Sequence, residues 1–345
     1  MSTVTIKILN ENEKERWDDI VKRSPHSTPV HLYDWLKIIE TYTNTKLYLF
    51  VGYIGDEIVA AIPLFYSKKH FFKILSSPPA NVVIQNLGLI IPEYNSLKQD
   101  KREYYFREFM TEFNKYLAKT IKPDVVSIVT PPGLVDARPY NWNNYIVTPK
   151  YNYVCDISDL EIVWKNFKKT LRKNIEKASK LKFSIEEGDI YEYIKIYEFV
   201  VKRLSDQGRD ATTPCEYFRS LYQTISKDTL KNFVAKLDGE VVTGIIVFGY
   251  HEKISIWVGA TQVNMPGLYP VDLLQWEIIK WASDHGYKYC EILGANTQSI
   301  SYFKSRYNFD LEIYYSAEYY GLKAYPIYAL RKYFNRLVNY RKKSD

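Results

Sequence analysis

The densest run of chemistry-bearing side chains lies between Trp164 and Lys182. There Lys165, Lys168, Lys169, Arg172, Lys173, Lys177, Lys180 and Lys182 accompany a single acid, Glu176. Such a cluster attracts phosphates, whether of a nucleotide-linked precursor, a coenzyme or an RNA. Further along, Asn296 and Gln298 in GANTQS offer amides that could orient a substrate or form turns. The loop SDQGRDATTP brings Asp206, Arg209 and Asp210 together. Other chemistries find no support. His26, His31, His70, His251 and His285 never fall at metal-ligand spacing with one another or with Cys155, Cys215 and Cys290, so no zinc or iron site is expected. There is no G-x-S-x-G elbow, P-loop or dinucleotide fingerprint. The isolated cysteines read as buried thiols in a reducing compartment.

These residues must be held by elements, and the elements repeat. Phe50 to Phe65, FVGYIGDEIVAAIPLF, aligns without a gap on Phe233 to Phe248, FVAKLDGEVVTGIIVF, at an offset of 183. Each copy is an apolar run, a Gly/Asp turn and a second apolar run, which predicts a β-hairpin with buried strands. The same offset sets Trp35 on Phe218 and Ile38 on Leu221, so an amphipathic helix precedes the hairpin twice. Two related domains follow, with room for about two cores in 345 residues. The Pro- and Asn-rich PPGLVDARPYNWNNYIVTPK predicts their boundary, giving domains over 1–150 and 151–325. In the second, Val163, Phe167, Leu171, Ile175 and Ala178 form one apolar stripe, so a single helix is expected from Trp164 to Lys182. No apolar run approaches the roughly 20 residues of a membrane-spanning helix, and the N-terminus lacks a signal-peptide pattern. A soluble, cytoplasmic protein is the expectation.

The pieces TPVHLYDW, VCDISD, LRKNIEKA, DGEVVTGIIVFGYHEKISIWVGA, LLQWEIIKWASDHGYKYCEILG and FKSRYNFD follow one another in order across residues 26 to 315. In that order the chain resembles the FemABX-type and related GNAT-like acyltransferases. The resemblance implies an α/β (α+β) fold of two tandem GNAT-like domains, each a twisted mixed sheet flanked by helices. It also implies transfer of an acyl or aminoacyl group to an amine. An amine attacking an ester or thioester passes through a tetrahedral species, so a cation or donor must face the developing oxyanion. By resemblance that cation is Lys304, with Phe303 packing beside it. Arg172 matches an arginine that the family uses near a phosphorylated substrate, and Arg209 and Asp210 lie in a loop that faces the family's cleft.

The donor stays open between aminoacyl-tRNA and acyl-CoA. GNAT enzymes hold the coenzyme pyrophosphate on backbone N–H groups of a Gly-rich turn before a helix. The equivalent turn here, NMPGLYPVD, keeps Gly267 alone, and Pro266 and Pro270 each remove a donor. No helical arm of the kind that binds tRNA is evident either. The expected function is amide formation on a phosphorylated or lipid-linked precursor of the cell envelope or a surface polymer, with no metal. A CoA-dependent N-acetyltransferase is the alternative. The net charge of +7 and a pI near 8.9 raise a third reading, a non-catalytic nucleic-acid binder. Residues 326–345 read as a basic amphipathic helix that places Leu330, Tyr333, Phe334, Leu337 and Val338 on one side. It would pack back on the first domain or lie on a membrane.

Overall fold

A computed structural model describes residues 3–261, 267–330, 332 and 333. The first half runs β1 (Thr5–Leu9), α1 (Lys14–Arg23), α2 (Tyr33–Thr43), β2 (Lys46–Ile54), β3 (Glu57–Lys69), β4 (Phe72–Ser77), α3 (Gln99–Lys119), β5 (Val125–Val129), α4 (Arg138–Trp142) and β6 (Ile146–Asp156). The second half opens with α5 (Leu160–Asn166) and α6 (Lys169–Ser179). It then repeats the pattern as β7 (Phe183–Glu187), α7 (Ile190–Asp206), α8 (Cys215–Thr224), β8 (Leu230–Leu237), β9 (Glu240–Tyr250), β10 (Lys253–Thr261), α9 (Pro270–Asp284), β11 (Tyr289–Ile292), α10 (Gln298–Lys304) and β12 (Asp310–Tyr320).

All twelve strands form one sheet, in the order β1-β2-β3-β4-β5-β12-β6-β11-β10-β9-β8-β7. The order reads as two matching sets of five that meet at an exchanged pair. β5 takes β12, from the end of the second half, as its antiparallel neighbour, and β11 takes β6, from the end of the first. The two junctions have the same register: Val125 faces Tyr320 and Tyr289 faces Asp156, so an offset of 164 residues carries β5 onto β11 and β6 onto β12. Between them β6 and β12 pair from Val154↔Asp310 to Ile146↔Glu318, with Lys150 opposite Tyr314 at the midpoint. A pseudo-two-fold axis therefore passes beside Lys150 and Tyr314.

The hairpin match is borne out in detail. β2·β3 and β8·β9 both shift register, between Gly52 and Tyr53 and between Ala235 and Lys236, at positions 183 apart. Such a bulge adds twist at the same point of each hairpin. The helices that precede the hairpins pack on each other across the axis. Trp35 Nε1 donates to Tyr217 Oη at 3.0 Å, and Trp35 meets the ring of Trp257 edge-on at 5.6 Å. Trp35, Phe218 and Trp257 belong to one apolar core that joins the halves, while two further cores cover the opposite face of each half.

Two expectations are corrected. The boundary placed between residues 150 and 151 falls inside β6, a continuous strand, because an exchanged strand has no linker at that point. The helix expected over Trp164–Lys182 is two helices, since Phe167 and Lys168 are extended and the Lys168 N–H turns away to donate to Arg306 O at 3.0 Å. The apolar stripe survives the break: Val163, Phe167, Leu171, Ile175 and Ala178 are all buried. Of the basic C-terminal helix, residues 325–330, 332 and 333 are helical, and Leu330 and Tyr333 are exposed. Phe334, Leu337 and Val338 lie outside the described residues.

Candidate active site

Beyond Ile256 and Ile292 the parallel ladder of β10 and β11 ends, and the chain after β11 turns through Leu293 and Gly294. A buried polar network fixes this turn. Asn152 on β6 accepts from the Gly294 N–H at 2.9 Å and donates to Glu291 at 2.8 Å, and the other Glu291 oxygen accepts from Ser255 at 2.8 Å. Asn152, Ser255 and Glu291 are all buried, so each lost bond would leave a polar group dry. Gly294 adopts φ +87°, which favours glycine.

Lys304 closes the site. From the last turn of α10 its ammonium donates to Leu293 O and, at 3.2 Å, to Gly294 O. Two of its three N–H groups are thereby used, leaving one for a substrate. No carboxylate among the described residues pairs with it, and burial, with the nearby Arg203 charge, lowers its pKa to about 8. A Cβ placed on Gly294 would lie 3.0 Å from Gln85 Nε2 and 3.6 Å from Lys304 Nζ, so the glycine lets the amide and the ammonium converge. Gln85 Oε1 is buried and has no hydrogen-bond partner among the described residues. Gln85 lines a cleft of about 300 Å³ together with Lys150, Gly294, Asn296, Thr297 and Tyr314, at the pseudo-two-fold axis, and the Lys304 ammonium lies behind its Gly294 wall.

Gln85 reaches this place because the loop after β4 crosses between the halves. Val83 O accepts from Trp257 Nε1 at 2.7 Å and Asn81 O from Thr213 Oγ1 at 3.3 Å. The same loop then fills the first half's own gap: Leu87 N–H donates to Val129 O at 3.0 Å, and Ala61 and Ile90 exchange two backbone bonds. By the 164-residue relation Val129 corresponds to Leu293, and Tyr140 to Lys304. Tyr140 is wholly buried in the first half's core. The carbonyl that holds the lysine in one half is thus taken by backbone in the other.

The remaining sequence-predicted residues are spread around this centre. Phe303 is exposed and stacks under Arg306, 4.3 Å from its guanidinium, rather than holding Lys304 as expected. The Asn296 amide is spent on the protein, accepting from Tyr151 N at 2.9 Å and donating to Tyr151 O and Tyr314 Oη. Gln298 opens α10 and is exposed. Arg209 and Asp210 are exposed after α7 and do not line the cleft. Arg172 lies on α6 with a buried Nε that has no partner among the described residues. Gly267 precedes α9 with φ +82°, and its Cβ position is 3.5 Å from Lys177 Nζ. The first turn of α9 already carries an anion, Asp272, which is buried against Arg306 at 2.9 Å and Asn174 at 2.9 Å. Asn264 and Pro266 of the expected turn lie outside the described residues. Among the described residues no cluster of His, Cys, Asp or Glu could hold a metal.

Sequence reasoning missed Gln85, Asn152 and Glu291. A lone amide in an apolar loop and two polar residues in strands carry no pattern, and the bulge-matched repeat says nothing of which loop crosses the axis.

Comparison with known proteins agrees with this architecture. Residues 165–305 match the family described as the acetyltransferase (GNAT) domain. Over 314 residues the chain is 22% identical to the UDP-N-acetylmuramoylpentapeptide-lysine N(6)-alanyltransferase of Weissella viridescens, covering 85% of this chain and 88% of that one. The crystal structure of FemX superposes with a TM-score of 0.69 at 13% identity, over 94% of this chain and 99% of that one. L-PGS from Bacillus licheniformis gives a TM-score of 0.56 at 13% identity, over 92% and 94%. A tandem GNAT protein from the clavulanic acid biosynthesis pathway gives 0.52 at 11% identity, over 91% and 98%.

Proposed function

We propose, from a chain that is a GNAT-like acyltransferase of the Fem type, that it moves an aminoacyl group from an ester-linked donor to an amine of a cell-envelope precursor. The observation that carries this is the Lys304 ammonium, which has no carboxylate partner among the described residues and is held by the carbonyls of Leu293 and Gly294, the second of which lines the cleft between the halves. Its free N–H meets the carbonyl oxygen of the donor ester as that oxygen becomes an oxyanion. Gln85 Oε1 accepts a hydrogen from the incoming amine and holds its lone pair toward the carbonyl carbon. The new N–C bond forms and the ester C–O bond breaks. The proton lost by the amine goes to the leaving oxygen, and none of the described residues that line the cleft is a carboxylate or an imidazole.

An aminoacyl-tRNA suits this site better than acyl-CoA as donor. The first turn of α9, where a coenzyme pyrophosphate would sit, holds Asp272, begins with Pro270 and retains Gly267 alone of the glycine pattern. No inserted helical arm stands in the described residues, so tRNA would be met by the basic surface of α5 and α6. Arg172, half-buried on α6, is the candidate contact for a phosphate of the acceptor, which is nucleotide- or lipid-linked. The protein works on the cytoplasmic side of the envelope, where activated donors are made.

The test is a direct assay with alanyl-tRNA, seryl-tRNA or acetyl-CoA as donor and a UDP-linked muramoyl pentapeptide as acceptor. The expected product is the pentapeptide heavier by one aminoacyl residue. Acetylation of an amine from acetyl-CoA, with no product from any charged tRNA, would replace this reading with the N-acetyltransferase alternative.

A further inference from the structure

The β3–β4 hairpin ends in a tip that a soluble surface does not require. Its sequence, Lys68, Lys69, His70, Phe71, Phe72, Lys73, sets two adjacent phenylalanines among cations, and the Phe71 ring is 73% exposed. The two rings lie 4.4 Å apart, so the tip presents an aromatic knob rather than a floppy loop.

Three chain segments meet at this end of the sheet. Lys73 and Asp124 are joined through backbone and side chain, by Asp124 N–H to Lys73 O at 2.8 Å and by Lys73 N–H to the Asp124 carboxylate at 2.9 Å. The Gly321 N–H then donates to Asp124 O at 2.8 Å, tying in the segment that follows β12. That segment folds back on the strand through the stacked rings of Tyr320 and Tyr328, 4.4 Å apart. It leaves Leu322 almost wholly exposed at 97%, with Tyr325, Ile327 and Leu330 exposed beyond it.

Among the described residues the exposed charges here are of one sign, and the half-buried Glu318 accepts from Tyr320 Oη at 3.1 Å. Lys68 and Lys69 on the tip, Lys119 and Lys122 on the turn before β5, and Lys323 and Lys332 after β12 are exposed. Across residues 66–73, 113–123 and 319–333 the sequence contains no Asp or Glu, and Asp124 is half-buried with its carboxylate engaged by Lys73. Exposed aromatic and aliphatic side chains within a field of lysines match the two layers of an anionic bilayer, charged headgroups outside and acyl chains beneath. A nucleic acid would engage the lysines and leave Leu322, Ile327 and Leu330 with nothing to bury against.

We propose that this edge, formed by the β3–β4 tip, the turn before β5 and the segment after β12, docks the protein on an anionic phospholipid bilayer, with Phe71 inserted among the headgroups. The inference stands on surface chemistry and is independent of the transfer reaction.

Vesicle sedimentation of the full chain tests it, with vesicles of phosphatidylcholine alone and of equal parts phosphatidylcholine and phosphatidylglycerol. The protein is expected to sediment with the anionic vesicles, weakly or not at all with the neutral ones, and less as salt is raised. Lys68→Gln/Lys69→Gln and Phe71→Ser alter exposed positions, so both should fold, as circular dichroism will verify. Each should lower partitioning by about tenfold. Equal sedimentation with both vesicle types, or wild-type partitioning by both variants, would overturn the proposal. So would loss of duplex-DNA binding in the double lysine variant together with wild-type vesicle binding in Phe71→Ser, which marks a polyanion surface. Stronger vesicle binding by a chain ending at Tyr333 would also overturn it, because the patch would then be covered by residues 334–345 of its own chain.

Discussion

At the residue scale the site reduces to one ammonium and one amide. Lys304→Met keeps the stem and removes the charge, so kcat should fall by about a hundredfold or more with the circular dichroism spectrum unchanged. Near wild-type turnover would dismiss the oxyanion role. Because burial and the Arg203 charge lower the Lys304 pKa to about 8, the ammonium is lost as pH rises through that value, and turnover should decline there. Removing a neighbouring positive charge favours the protonated form, so Arg203→Gln should move the declining limb to higher pH. An unmoved limb would show that another group titrates. Gln85→Leu leaves the incoming amine without its acceptor, and kcat/KM should drop about tenfold or more in steady-state assays. The sequence singles out Lys304 through a Phe-Lys pair at the end of a recognisable order of segments, and the structure adds the two carbonyls that hold its ammonium. The packing of Phe303 was not legible, since Phe303 and Arg306 are neighbours on one short turn and the sequence does not say which cation the ring serves. Gln85 had no signal at all, because Gly294, against which its amide lies, is more than 200 residues away.

At the element scale the two halves agree more closely than their side chains do. The bulges at Gly52/Tyr53 and Ala235/Lys236 and the paired helices α2 and α8 were implied by a 16-residue match and two flanking positions. The matched apolar positions are also where the halves touch, so Trp35 serves both its own hairpin and the opposite helix. Trp35→Ala should cost about 3 to 5 kcal/mol in equilibrium denaturation, through the lost contacts and the unpaired Tyr217 hydroxyl. A change below about 1 kcal/mol would mean that the α2–α8 seam contributes little. The break between α5 and α6 escaped notice for a physical reason. Phe167 keeps its place in the apolar stripe on either reading, and what turns the chain is a backbone bond to Arg306, 138 residues downstream.

At the scale of the whole molecule the halves are not separable, although the sequence divides them plainly. A Pro- and Asn-rich stretch reads as a linker, yet its end is the strand β6 that completes the second half, and β12 completes the first. Residues 1–150 expressed alone lack β12 and most of β6, so they should be unfolded or aggregated in analytical ultracentrifugation. A folded monomer would contradict the exchange. The repeat also leaves one candidate site among the described residues, since the first half fills its gap with residues 84–91 and buries Tyr140 where the second half sets Lys304. The exchange bears on how the chain is made. β5 leaves the ribosome 187 residues before Ser316, the residue of β12 that pairs with Val129, which at ordinary elongation rates is roughly 10 to 40 s. During that interval the strand at hand to cover β5 is β6, the repeat counterpart of β12. The nascent first half can close on itself as a single-domain ancestor would, and it must then surrender β6 when its late-born twin arrives.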